Sequence, residues 1–150
     1  MTMDDEFLAA FENCTLPFTD WTHRSHVRVA YLYASRNNLR SAIDRMRSRI
    51  KVYNQATNTP EPNDRGYHET ITQAFMRLVF TANIQTGPHE SSDAFCDAHP
   101  ELLTKHALRS FYSAERLMTK KARAEFVEPD LCSLPVVIDD SLTITDVVDP

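Results

Sequence analysis

With 150 residues, 42% hydrophobic and 25% charged, the chain is the size of one soluble domain able to bury a core. The net charge of −5 is unevenly placed: Glu128, Asp130, Asp139, Asp140, Asp146 and Asp149 lie beyond residue 127 with no base among them, and the rest is nearly balanced. This balance excludes a broad basic footprint for nucleic acid, and the lack of any apolar run near ~20 residues excludes a membrane-spanning helix.

The pattern is helical from the start. A first helix is expected over about 4–13, with Phe7, Leu8, Ala10 and Phe11 apolar, ending before Pro17. This opening is acidic and lacks the basic and long apolar segments of a signal peptide, so the expected location is cytoplasmic. A second helix is expected over about 22–36 with Asp20 or Thr22 as its cap, and a third over about 39–55 after the turn Asn37-Asn38. The basic run RMRSRIK (45–51) falls on that third helix opposite Leu39, Ala42, Ile43, Met46 and Ile50, and reads as a solvated face. The loop 58–66 carries two prolines and a glycine.

A fourth helix is expected over about 67–83, a fifth over about 89–97, a sixth from Pro100 to about 117 and a short seventh over 120–126. Beyond Leu131 the texture becomes β-branched, with DDS as a turn signal. The expected architecture is an all-α, single-domain helical bundle over 1–135, with an extended or hairpin-like acidic C-terminal extension over 136–150.

Two absences narrow the chemistry. Only two glycines occur, which rules out a Walker loop and a Rossmann fingerprint, since both need several. The three cysteines (Cys14, Cys96, Cys132) form no CxxC pair and read as reduced thiols.

The histidines carry the functional expectation. On a helical wheel, Val27, Val29, Ala30, Tyr31, Tyr33 and Ala34 form the buried arc of the second helix, and His23 and His26 fall within it, three residues apart. His68 falls in the apolar arc of the fourth helix with Thr72, Glu69 lies at its border, and Thr70, Gln73 and Arg77 form the opposite, wet side. His106 lies on a third apolar arc. Buried polar groups need partners, and one shared metal or one shared polar pocket would serve all three inward histidines. The metal reading makes His23, His26 and His68 ligands of a divalent transition metal (zinc, iron, copper or manganese). Glu69 is then a fourth ligand or general base, Thr72, Tyr33 and His106 are supporting residues, and Tyr67, Tyr112 and Arg116 are candidates to orient substrate. Trp21 either staples the second helix or roofs the site. The expected function is a small metal-dependent enzyme (hydrolase, lyase or oxygenase) acting on a small molecule. The alternative is a ligand-binding or sensor bundle with a metal-free polar pocket; homo-oligomerisation stays open.

Together, WTHxxH (21–26), GYHETxT (66–72), YSxxRL (112–117) and EPDLxxLP (128–135) resemble a pattern in small bacterial proteins of unassigned function. The resemblance implies one module ending near Pro135 and no particular activity.

Overall fold

A computed structural model describes residues 2–58, 66–104 and 106–137. Among them are seven α-helices and no strand: α1 (Met3–Glu12), α2 (His23–Arg36), α3 (Leu39–Ala56), α4 (Glu69–Thr86), α5 (Ser92–Ala98), α6 (Ala114–Leu117) and α7 (Lys120–Ala124). The all-α bundle is as expected. No helix among the described residues is long and apolar enough to cross a membrane. The expected turn DDS and nearly all of the proposed 136–150 extension lie outside the described residues.

Local chemistry sets the helix starts. Thr2, Thr22, Asn38, Ser91, Ser113 and Thr119 each cap the helix that follows, their side-chain oxygens accepting from a backbone N–H three residues on. α4 differs: its cap is His68, whose Nδ1 accepts from the Ile71 N–H at 3.1 Å. The helix therefore begins two residues later than periodicity suggests.

α2 is central and packs on α1, α3, α4 and α5. Its Val27, Val29, Ala30, Tyr31, Tyr33 and Ala34 are buried as the wheel predicts, and Leu32 joins them. α3 buries the stripe Leu39, Ala42, Ile43, Met46, Ile50 and Tyr53 at three- and four-residue spacing. Phe11, Tyr53, Phe95, Met76 and Val79 fill the centre.

Two expectations fail for tertiary reasons. The sixth helix over 100–117 does not form: Pro100–Leu103 is a 3-10 turn, and α6 occupies only the last four residues of that span. The wet face expected on α4 is covered instead. Thr70 is fully buried because its hydroxyl donates to the Glu125 carbonyl (2.9 Å) and accepts from the Val127 N–H (3.1 Å). The segment from Glu125 to Cys132 thus straps the outer side of α4, where Ala74, Leu108, Tyr112, Leu117, Ala122 and Val127 form a second, smaller core.

Candidate functional site

The three inward histidines expected from the wheel do not converge as a ligand set. His26 and His68 line one cavity of about 370 Å³, together with Trp21, Asn54, Tyr67 and Thr72. His23 lines a neighbouring cavity of about 130 Å³, beside Phe75, Tyr112 and Leu117. Ile71 and Met118 line both and separate them. Among the described residues no three His, Cys, Asp or Glu side chains are placed so as to hold a metal ion.

Accounting for ring nitrogens shows why. His68 Nδ1 accepts from the Ile71 N–H, so its proton resides on Nε2, which donates to the Leu117 carbonyl at 2.9 Å. Both nitrogens are committed, and the neutral ring has no lone pair to offer. Burial, first, and the nearby Arg123 charge hold its pKa below the ordinary value. His23 is exposed rather than inward: Nε2–H donates to the Leu102 carbonyl at 2.9 Å, and the ring meets Phe75 edge-on with centroids 5.7 Å apart. His26 is half-buried, and its Nδ1–H donates to the Thr22 carbonyl at 2.8 Å. Its Nε2 then carries a lone pair with no hydrogen-bond partner among the described residues.

Trp21 holds His26 in place. The indole is stacked on Phe11 (4.5 Å, 17°) and lies against the His26 ring, tilted by 30° with centroids 3.8 Å apart. It therefore anchors the start of α2 and walls the cavity at once. Burial pushes the His26 pKa down to about 4, and the adjacent His23 adds to the effect. At neutral pH the ring is an uncharged hydrogen-bond acceptor and a weak base.

Glu69, expected at the border as ligand or general base, is buried and saturated. Arg47 reaches from α3 with Nε on Oε1 (2.8 Å) and Nη2 on Oε2 (2.7 Å). Tyr67 donates to Oε1 (2.8 Å) and Gln73 to Oε2 (2.5 Å). Four donors, led by the guanidinium, hold its pKa down to about 2. Such a carboxylate is a clamp between α3 and α4 and a poor proton acceptor. The same pair revises the basic run of α3: Arg47 turns inward, while Arg45 is exposed as expected.

The remaining candidates do structural work in the positions observed. Tyr112 is buried, its hydroxyl donates to the Val127 carbonyl (2.7 Å), and burial raises its pKa to about 12. Arg116 Nε donates to the Glu128 carbonyl (2.9 Å). Both fasten the strap. Tyr33 donates to Glu12 (2.5 Å), away from the cavity, and burial pushes its pKa up. Thr72 does line the cavity, with its hydroxyl donating back to the His68 carbonyl (2.9 Å). His106 is exposed on a turn and does not join His23, His26 or His68; it borders a third cavity of about 480 Å³.

Asn54 was not singled out by periodicity, yet it is buried, lines the cavity of His26 and makes no side-chain hydrogen bond to the described residues. Its polar side chain on the buried stripe of α3, one residue after Tyr53, is the signal that could have marked it. A second omission is the group formed by Thr86, His89, His99 and Glu101, joined by hydrogen bonds of 2.9–3.0 Å. Compared with known proteins, the chain matches no family model, no curated protein and no solved structure.

Proposed function

We propose that the protein is a small-molecule-binding helical bundle whose pocket is the cavity between Trp21, His26, Asn54 and Thr72, and that it binds its ligand there without a metal. The observation that carries this reading is the pair of unspent polar groups on one wall-lined space: the His26 Nε2 lone pair and the Asn54 amide. A cavity of about 370 Å³ lies at the small end of the range for such pockets, roughly 300–1,000 Å³. Its other walls include Trp21, Ile50, Ile71 and Met118. The charged lining residue, Arg123, already donates to the carbonyls of Gly66 (2.9 Å) and Tyr67 (3.2 Å). The matching ligand is uncharged and largely apolar, with a donor facing His26 and an amide-complementary group facing Asn54.

The metal-dependent enzyme is the weaker reading. It retains two unspent imidazole nitrogens, His23 Nδ1 and His26 Nε2, but requires His68 to give up both its helix cap and its bond to Leu117. A cytoplasmic location remains part of the proposal, supported by three cysteines that are all unpaired.

Trp21 is the one tryptophan, so its fluorescence reports directly on the pocket. In a screen of small neutral compounds, binders should change that emission, and Asn54→Leu and His26→Leu should each weaken them at least about tenfold. Binders indifferent to both substitutions would place the pocket elsewhere. Metal retained on purification and lost in His23→Ala, His26→Ala and His68→Ala alike would restore the enzyme reading.

A further inference from the structure

We propose that a cavity between α3 and α4, lined by Arg40, Arg47 and Arg77, binds a small phosphate, as a monoester or as the free ion, at a site apart from the Trp21 pocket. The cavity measures about 250 Å³. α3 supplies Arg40, Asp44 and Arg47 to its wall, and α4 supplies Gln73 and Arg77. Periodicity puts Gln73 and Arg77 on the wet side of α4, yet both are half-buried.

Arg77 is the group that calls for an anion. Its Nη1 donates to the Gln73 carbonyl at 3.0 Å, and the guanidinium lies over the Phe126 ring at 5.1 Å. Among the described residues it forms no ion pair with a carboxylate, and its Nε and Nη2 make no hydrogen bond. Burial pushes its pKa down, against the opposing influence of Tyr112 and Glu128. A guanidinium stays charged all the same, and a half-buried charge without a counter-ion costs stability that a bound anion would offset. Arg47 shows the contrast, because its fork is spent on Glu69 (2.8 and 2.7 Å) and its Nη1 on Asp44 (2.8 Å).

The guanidinium groups favour phosphate over carboxylate. The two oxygens of a carboxylate are filled by one fork, as those of Glu69 are by Arg47. A phosphate has enough outward oxygens to accept from forks on two helices at once. Arg40 stands on the facing helix, at the second position of α3, whose first turn carries no acid. A base there opposes the helix dipole, and an anion between Arg40 and Arg77 offsets that cost. The lining carboxylate, Asp44, is paired with Arg47 and therefore repels an anion less. The cavity is smaller than the roughly 300–1,000 Å³ of pockets for drug-sized ligands, so any group esterified to the phosphate is a small one.

The test is calorimetric titration of the full chain at low ionic strength with inorganic phosphate, glycerol phosphate and acetate. One equivalent of phosphate should bind. Tighter binding of glycerol phosphate identifies a monoester as the ligand, and equal binding identifies the free ion. Arg77→Gln and Arg40→Gln should each weaken binding at least about tenfold, and Arg77→Lys should recover part of the loss. Arg45→Gln, exposed on the same helix and outside the cavity, should leave binding unchanged. Arg40 is exposed, so its variant decides the matter if Arg77→Gln loses the helical spectrum. No saturable binding, acetate bound as tightly as phosphate, binding that survives Arg40→Gln, or an equal loss in Arg45→Gln would overturn the site. The neutral-ligand pocket shares no lining residue with this cavity, so the two stand or fall separately.

Discussion

Acidification from pH 7 to pH 5 should cost the fold stability through His26. The unfolded chain protonates this ring near its ordinary value of 6.5, whereas the native ring resists until about pH 4. Because the folded value is the lower one, the unfolded state takes up the proton first. Stability therefore begins to fall as the pH drops below about 6.5 and levels off below about 4. For a fully enclosed ring the loss between pH 7 and 5 is about 2 kcal/mol, since each tenfold change in protonation equilibrium is worth 1.36 kcal/mol. His26 is half-buried, which reduces the expected loss to roughly 1 kcal/mol. His68, also held below its ordinary value, acts in the same direction. The assay is urea unfolding followed by far-ultraviolet circular dichroism at both pH values, comparing the wild type with His26→Gln. The wild type should lose about 1 kcal/mol more than the variant. Equal losses would refute the argument, as would a transition in Trp21 emission near pH 6.5 instead of near 4.

Glu69→Gln should cost about 3 kcal/mol by leaving the Arg47 guanidinium without its carboxylate, and should remove the stability that the wild type loses as the pH falls from about 4.5 towards 2; an undiminished acid slope in denaturant titrations would contradict the clamp. His68→Asn should retain the cap of α4 and cost about 1 kcal/mol less than His68→Ala in thermal or urea unfolding, whereas equal costs would mean the cap contributes nothing. Thr70→Val should cost roughly 1–3 kcal/mol by stranding the buried Val127 N–H and removing the donor to the Glu125 carbonyl, and hydrogen exchange at the Val127 amide should accelerate; an unchanged rate would detach the strap from Thr70. Tyr112→Phe should lose about 1 kcal/mol while leaving ligand binding in the Trp21 pocket intact, and a large loss of binding would return Tyr112 to the site.

The parts of this fold that could be read from sequence are those in which local and tertiary preferences agree. α2 and α3 carry apolar stripes at helical spacing and Thr or Asn caps, and their buried residues fall where the wheels put them. Where the reading failed, a distant segment decided the outcome. Thr70 looks wet on its own helix and is buried by a strap more than fifty residues away. Residues 106–113 keep helical spacing of Ala107 and Phe111, yet the chain turns there, and His106 is carried to the surface. At the site, the inwardness of His68 was legible but its geometry was not. The wheel assumes a helical residue, whereas a cap has extended backbone, and this is what commits Nδ1 to the helix. Glu69 was visible as a carboxylate near the core, but its partner Arg47 lay hidden in a run of bases that reads as surface. The His89–His99 group gave no periodic signal at all, because both histidines sit in the breaks between helices and Thr86 is the last residue of α4.

The strap from Glu125 to Cys132 also bears on how the chain acquires its structure during synthesis. α4 emerges from the ribosome with one side complementary to α2 and α3, already made, and with Thr70 and Ala74 on a side whose neighbours are still untranslated. That side of α4 stays without its native cover until the next fifty or so residues have been translated, whereas the contacts with α2 and α3 join segments that have all been made by then.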